Sequence, residues 1–220
     1  MKNTFPSFSS LPTFLLLPSR FLLWGLLLYV CLETIASLYL QYIPDAEQYE
    51  LNILLCVRVL ELLAFVVLIQ HFRVWDSLGL NTPNGMDLRI LLLISAACVL
   101  SVAVLYVLLP AWFVYVALPP WLSGLGGLLL MVWIAPVVEE LVFRGLLYRL
   151  LREQWGIGFS VVVSAVFFSL LHQGALISPQ LAGGVIFALA YEWSRSLWVP
   201  IVLHIGANSA VYVLAVWAVG

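Results

Sequence analysis

Long apolar runs constrain the fold of this chain more than any other feature of its sequence. Several of them reach the about 20 residues that an α-helix needs to cross a bilayer. Of the 220 residues, 64% are hydrophobic and only 9% are charged, and the mean hydropathy is +1.11. A water-soluble domain does not have this composition. The sequence therefore predicts an all-α fold, a polytopic bundle of transmembrane helices, and nothing in it favours a nucleic-acid partner.

The apolar runs divide into about seven spans that polar connectors separate. We place the spans at residues 21–42, 51–70, 90–110, 125–150, 158–176, 180–194 and 197–219. The longest polar stretch, residues 71–89, ends an N-terminal part, residues 1–89, that holds two helices and a loop. Residues 90–220 form the C-terminal bundle, and residues 111–124 have the aromatic and proline content of a headgroup interface.

The distribution of lysine and arginine between the connectors predicts how the chain is oriented. Basic residues precede the first span and follow the second, fourth and sixth spans, whereas the other connectors and the C-terminus have none. They are Lys2, Arg20, Arg73, Arg89, Arg149, Arg152 and Arg195. Because basic connectors stay on the cytoplasmic side, we expect a cytoplasmic N-terminus and an external C-terminus. The expected location is a bacterial cytoplasmic (inner) membrane, since the chain is small.

Polar residues of the N-terminal spans are interpreted as structural. Glu33, alone in the first span, is expected to be a neutral acid bonded to another helix. Arg58 and Glu61 are three residues apart and can pair on one helix face. The cysteines stand alone inside apolar runs without metal-type spacing and are expected to be packing residues; they are Cys31, Cys56 and Cys98.

The fourth span holds two adjacent carboxylates and a guanidinium, Glu139, Glu140 and Arg144. Each costs roughly 2.5 to 3.5 kcal/mol at the centre of a spanning helix, so such groups are usually paired and functional. A helix advances about 100° per residue, so Glu140 shares a face with Arg144 while Glu139 points away from it. We expect Arg144 to pair with Glu140, and Glu139 to face a cavity and exchange a proton. The alternative is that all three form a polar clamp between helices.

Two later spans each carry a histidine with a second residue four positions away. Phe168 precedes His172, and His204 precedes Asn208, so each pair shares a helix face. A carboxylate and a histidine can together take a proton from water, which is general-base activation of a nucleophile. Histidine and asparagine N–H groups can stabilise the oxyanion that forms when water attacks an amide. The pattern indicates peptide hydrolysis in a cavity among the C-terminal spans, without a covalent nucleophile.

The ordered set of Glu139-Glu140-x-x-x-Arg144, Phe168-x-x-x-His172 and His204-x-x-x-Asn208 resembles three signature motifs. They are those of the CAAX-protease and bacteriocin-processing (CPBP, or Abi) family, which is similar to the type II CAAX prenyl endopeptidases. The resemblance covers about residues 125–212. It implies an intramembrane protease of the glutamic type with no cofactor, in which Glu139 and His172 activate water. It also implies an oxyanion hole lined by His204 and Asn208, and structural support from Glu140, Arg144 and Phe168.

Three questions stay open at this point. Glu139, His172 and His204 could instead bind a divalent metal such as zinc, although the chain lacks a His-Glu-x-x-His helix. A non-enzymatic immunity or transport protein could also keep buried charges, for helix packing or a proton path. The expected partner besides the lipid bilayer is a membrane protein or peptide substrate, lipidated or with a C-terminal membrane anchor, and the sequence does not name it.

Overall fold

The computed structural model describes residues 17–42, 46–80, 88–108, 122–172 and 178–219. These residues are almost entirely helical and form no β-strand, which confirms the predicted all-α bundle. Its helices are α1 Ser19–Tyr42, α2 Glu50–Phe72, the short α3 Trp75–Leu78, α4 Leu88–Leu108, α5 Leu125–Leu171, α6 Pro179–Ser194 and α7 Trp198–Val219. A 3₁₀ turn, Ala46–Tyr49, precedes α2. The described part of the chain therefore has helix at each of the seven predicted positions.

Helix α5 contains both the fourth and the fifth predicted spans. Its backbone breaks at Gly156, which has φ 78° and ψ −179°, a conformation that only glycine adopts readily. We call the residues before Gly156 the first arm of α5 and those after it the second arm. The first arm continues past the predicted end at residue 150, because Arg152 and Glu153 are good helix formers and extend the helix.

Four helical stretches within the described residues are long and apolar enough to cross a membrane. They are Ser19–Tyr42, Glu50–Phe72, Leu125–Leu171 and Trp198–Val216. The protein is thus an integral membrane protein by the length and composition of its helices. The number of crossings and the orientation stay predictions, and the predicted interfacial segment 111–124 lies mostly outside the described residues.

The orientation can be measured with topology reporters fused along the chain. Reporters after about residues 80 and 153 should read cytoplasmic, and those after about residues 46 and 220 should read external, because of the positive-inside rule. A cytoplasmic C-terminus would contradict the model of seven spans.

The helices pack around the first arm of α5. Both α1 and α2 lie against this arm, α6 lies against the second arm, and α7 contacts α4, α6 and the first arm. Close approaches occur at glycines: a Cβ on Gly184 of α6 would lie 2.9 Å from the Cα of Ala165 in α5. A residue as small as glycine at position 184 therefore lets α6 approach α5 closely.

The outer faces of the bundle are apolar, as a lipid environment requires. Leu23 and Trp24 of α1 and Leu63 of α2 are all more than half exposed. Cys31 and Cys56 are exposed on the same helices, so the prediction that they are packing residues is wrong for both. Their small side chains lie on faces that no described helix covers. The side chain of Cys98 is outside the part that the structure describes.

The connector after α2 folds back onto the turn between α6 and α7. The carbonyl of Gly79 accepts hydrogen bonds from the backbone N–H of Leu197 and the hydroxyl of Ser196, both at 3.1 Å. The indole N–H of Trp198 donates to the carbonyl of Leu80 at 2.7 Å. These bonds tie the N-terminal part of the chain to the start of α7, the helix that carries His204.

Candidate active site

The two glutamates lie on the first arm of α5, in the α-helical turn Ala135–Glu140. This turn stands between two π-helical stretches, Leu129–Ile134 and Leu141–Tyr148. Stretches of π-helix are rare and are frequent at functional sites. Glu139 is 8% exposed and Glu140 is 0% exposed. Two buried carboxylates at neighbouring positions each need their own polar partners.

Glu140 is bound to two neighbouring groups through one carboxylate oxygen. Arg144 Nη1 donates to Glu140 Oε1 at 2.9 Å, and His204 Nδ1 lies 2.8 Å from the same oxygen. Arg144 Nη2 donates to the carbonyl of Gly184 at 2.9 Å. The predicted pairing of Glu140 with Arg144 is therefore present, and it joins α5 to both α6 and α7.

Aromatic rings enclose the guanidinium of Arg144. Its central carbon lies 5.8, 5.0 and 5.4 Å from the ring centroids of Phe143, Phe168 and Phe187, respectively. Such contacts are stronger where water is absent. Arg144 is 0% exposed, so the rings and Glu140 together replace the hydration that burial removes.

Glu139 turns away from Arg144, as the helix-face argument predicts. Its Oε2 atom lies 3.5 Å from Nε2 of His172 and 3.7 Å from Nε2 of His204. Both distances exceed the range of strong hydrogen bonds. They are short enough for one small polar molecule to contact the carboxylate oxygen and an imidazole nitrogen at once. Three of the four predicted catalytic side chains, those of Glu139, His172 and His204, thus converge through one atom each.

His172 lies at the end of α5 and not inside a span, which corrects the predicted limit of residue 176. The helix ends at Leu171, and Nδ1 of His172 is 2.7 Å from the carbonyl oxygen of Phe168. The last carbonyls of a helix lack intrahelical donors, so the histidine side chain satisfies one of them. A carbonyl only accepts, so Nδ1 carries the proton and Nε2 faces Glu139. The side chain of His172 is 33% exposed. His172 therefore lies on the open side of the site.

His204 is the buried histidine, at 3% exposure. Its Nδ1 donates to Glu140, since an ionised carboxylate only accepts. Its ring stacks on Phe187, with centroids 4.8 Å apart and planes at 25°, and Phe168 meets it edge-on at 5.6 Å. The sequence analysis did not identify Phe187, because an aromatic residue in an apolar helix normally indicates only packing.

Asn208 lies one helical turn after His204, and its Nδ2 donates to the carbonyl of Met131 at 2.8 Å. The carbonyl of Met131 has no backbone N–H partner within the helix, because the helix has the π-helical register there. The N–H of Ala135 bonds to the carbonyl of Leu130, five residues earlier, so Met131 would be the partner of residue 136. Residue 136 is proline and has no N–H. The amide of Asn208 is thereby fixed through one N–H, and a second N–H remains for other partners.

The alternative metal site predicted from the sequence would consist of Glu139, His172 and His204. Within the described ranges, no three His, Cys, Asp or Glu side chains are placed to hold a metal ion. The Nδ1 bonds of His172 and His204 would, however, orient a metal ligand as well as a base. The metal content of the purified protein therefore distinguishes a metal site from a general base.

Comparison with known proteins shows what the same segment is similar to. Residues 119–210 match the family model described as type II CAAX prenyl endopeptidase Rce1-like. The chain is 37% identical over 87 residues to the membrane-embedded CAAX protease MroQ of Staphylococcus aureus (strain USA300), which covers 36% of this chain and 35% of MroQ. It is 31% identical over 107 residues to the UPF0177 protein YbdI of Lactococcus lactis subsp. lactis (strain IL1403), which covers 48% and 50% of the two chains.

The family model matches the part of the chain that carries the site. The chain spans about a third to a half of the length of these curated relatives. No solved structure matches it. The matched residues 119–210 contain all three motifs, with Glu139, His172 and His204 converging. By its motifs and by these matches, the segment 119–210 is similar to the type II CAAX prenyl endopeptidase Rce1-like family.

Proposed function

We propose that this protein is an intramembrane endopeptidase that hydrolyses a peptide bond with water activated by Glu139 and His172. One observation carries the proposal: Oε2 of Glu139 lies 3.5 and 3.7 Å from the Nε2 atoms of two histidines on different parts of the bundle. A carboxylate beside an imidazole nitrogen is an arrangement for general-base catalysis. The family model that residues 119–210 match and the printed name of the relative MroQ support a protease.

In the proposed reaction, Glu139 removes a proton from a water molecule as the water oxygen attacks the peptide carbonyl carbon. The carbonyl oxygen becomes an oxyanion. His172, which is the more exposed histidine, takes this proton from Glu139 on Nε2 and passes it to the leaving nitrogen. The carbonyl then re-forms as the C–N bond breaks, which gives a carboxylic acid and an amine. The acid loses its proton to the amine, so the products are a carboxylate and an ammonium group. No covalent intermediate with the protein is needed.

The oxyanion would be stabilised by His204 and Asn208. His204 lies between two carboxylates, 2.8 Å from Glu140 and 3.7 Å from Glu139, and the proposed role requires a proton on both of its ring nitrogens. Its Nε2–H would then donate to the oxyanion. Asn208 would donate its second N–H, since its first N–H is bonded to the carbonyl of Met131. Donors fixed in advance by other contacts need no reorganisation during the reaction.

The proposed substrate is a membrane protein or peptide, either lipidated or held by a C-terminal membrane anchor. The site is built on helices of a membrane bundle, so a substrate in the same bilayer can reach it. The curated relatives are bacterial, and the proposed location is the bacterial cytoplasmic membrane. No cofactor is part of the proposed mechanism.

The absence of a metal from the mechanism can be tested directly. Thorough chelation should leave activity unchanged, and the purified active protein should contain no stoichiometric zinc by elemental analysis. If Glu139, His172 and His204 instead hold a metal, chelation should silence the enzyme and added zinc should restore it. The elemental analysis gives a readout that does not depend on the substrate.

Comparative proteomics of membrane and secreted fractions tests the function itself. Cells that make the wild-type protein are compared with cells that make the same amount of a Glu139→Ala protein. We expect at least one membrane-associated or secreted protein to have a new terminus only with the wild-type protein. Identical termini in both samples would contradict proteolysis and favour a non-enzymatic role.

A further inference from the structure

Phe187 of α6 belongs to none of the three motifs, yet its ring contacts two buried polar side chains of the site. The ring lies on the imidazole of His204, with centroids 4.8 Å apart and planes at 25°. The guanidinium carbon of Arg144 lies 5.4 Å from the centroid of the same ring. Phe187 is 4% exposed. Any large apolar side chain could fill this space, so packing alone does not require a ring stacked on a histidine.

The hydrogen bond of His204 to Glu140 does not by itself fix the plane of the imidazole. Nδ1 of His204 lies 2.8 Å from Oε1 of Glu140, and this contact holds one atom of the ring. The torsion that turns a histidine ring about its Cβ–Cγ bond has a broad minimum, so the ring could still tilt about the contact. Such a tilt would move Nε2, which lies 3.7 Å from Oε2 of Glu139. The plane of the ring therefore decides where the Nε2–H group points.

Two aromatic rings restrict the tilt of the His204 imidazole. Phe187 covers one of its faces, and Phe168 meets it edge-on with centroids 5.6 Å apart. Stacked and edge-to-face contacts are the preferred arrangements of aromatic rings. Phe187 is itself held, because it forms one buried apolar cluster with Val199 and Leu203 of α7. The ring that covers His204 is thus packed on the same helix that carries His204.

We propose that Phe187 is a positioning residue whose ring holds the imidazole plane of His204, so that Nε2–H points at the oxyanion of the substrate. Phe187 has no polar group of its own and acts through His204. A donor that is held in advance needs no reorganisation as the oxyanion forms, and misplacing a catalytic group by about 1 Å can lower the rate about 100-fold. This inference rests on the proposed function, because it concerns a donor to the oxyanion.

The experiment measures kcat and KM in proteoliposomes. The probe is an internally quenched fluorescent peptide that spans the cleavage site found by the proteomic comparison. Phe187→Leu keeps a large apolar side chain but removes the ring. It should lower kcat about tenfold with KM unchanged, because the proposed contact acts on the transition state. An unchanged kcat in Phe187→Leu would overturn the proposal.

Phe187→Tyr is the conservative variant, since it keeps the ring. The Cβ that Gly183 lacks would lie 3.7 Å from Cζ of Phe187, which leaves space for the added hydroxyl. Phe187→Tyr should therefore retain most of the wild-type kcat. A loss equal to that of Phe187→Leu would show that the ring is not what matters and would contradict the proposal.

A double variant tests whether Phe187 acts through His204. In a His204→Ala protein, Phe187→Leu should cause no further loss in the single-turnover rate, because the group that it positions is already absent. If the ring acts instead through Arg144, the same change should lower the rate of the His204→Ala protein about tenfold again, and the proposal would fail. Rates are compared at equal folded concentration, so a lower yield of one variant does not change the result.

Phe21→Leu provides the matched control. Phe21 of α1 is 1% exposed and meets Phe72 edge-on, with centroids 5.9 Å apart. Its replacement therefore removes a buried ring that pairs with an apolar ring and not with a site histidine. Phe21→Leu should lower thermal stability and leave kcat unchanged. A loss of kcat equal to that of Phe187→Leu would contradict a specific role for Phe187.

Glu139→Gln in the same assay separates this inference from the proposed function. If Glu139→Gln retains activity, the proposed function fails and the inference fails with it. If Glu139→Gln is inactive while Phe187→Leu has a normal kcat, only the present inference fails.

Discussion

Glu139→Gln should abolish peptide hydrolysis while leaving the protein folded. Glutamine keeps the volume of the side chain and its hydrogen-bonding groups, but it cannot accept the proton of water. The carboxylate oxygen that it replaces makes no short contact, since its nearest histidine nitrogens are 3.5 and 3.7 Å away. Turnover is measured with an internally quenched fluorescent peptide that spans the cleavage site found by the proteomic comparison. Folding is measured by the midpoint of thermal unfolding in detergent.

Glu140→Gln is the matched change at the next residue, and it should affect stability first. It leaves Arg144, which is 0% exposed, without its anionic partner and weakens the bond to His204. Breaking a buried ion pair from one side typically costs about 3 to 5 kcal/mol. The yield of folded protein should therefore fall. An equal loss of thermal stability in both variants would contradict the division of roles between the two glutamates.

Asn208→Ala should lower kcat roughly 10²- to 10³-fold with little change in KM, the usual loss when an oxyanion donor is removed. His204→Ala should have a loss of the same size. The alanine at position 208 also leaves the carbonyl of Met131 without its donor, which costs about 1 to 3 kcal/mol of stability. The effect on the chemical step is therefore read from single-turnover rates of the folded fraction.

Ser209→Ala is a suitable control for that change. The hydroxyl of Ser209 donates to the carbonyl of Ile205 within α7 at 2.7 Å, so its removal alters a neighbouring position without touching the proposed oxyanion hole. It should keep a normal rate. A normal rate in Asn208→Ala would remove Asn208 from the site. Asn208 also separates the water mechanism from the metal alternative, because a side-chain amide is a poor zinc ligand.

The sequence predicts those contacts of the site that depend on one helix. Glu140 meets Arg144, and Glu139 points elsewhere, because the helical period fixes which side chains share a face. The pairing of Arg58 with Glu61 follows from the same rule. The predicted positions of the helices also agree with the structure, since the apolar length that a bilayer needs leaves few choices.

Contacts that depend on how helices lie against one another could not be predicted. The stacking of Phe187 on His204 requires the placement of α6 beside α7. The bond from Asn208 to Met131 requires the π-helical register before Pro136, for which the proline is the only sign in the sequence. The ion pair between Arg58 of α2 and Glu33 of α1 requires the packing of α1 on α2.

The prediction that the fifth span continues to residue 176 is wrong for a related reason. An apolar run indicates that residues 158–176 are buried in lipid, but it does not indicate where the backbone stops being helical. The helix ends before His172, whose side chain bonds to the carbonyl of Phe168. This local cap turns His172 toward the open side of the site, where a substrate can meet it.

The most direct test of the central claim uses the purified protein in proteoliposomes, with the peptide that carries the identified cleavage site, in water enriched in ¹⁸O. The proposed mechanism predicts cleavage at a single bond and one ¹⁸O atom in the new terminal carboxylate. It also predicts no cleavage by Glu139→Gln at equal folded concentration. Cleavage by Glu139→Gln at the wild-type rate, or no cleavage by the purified wild-type protein, would contradict it.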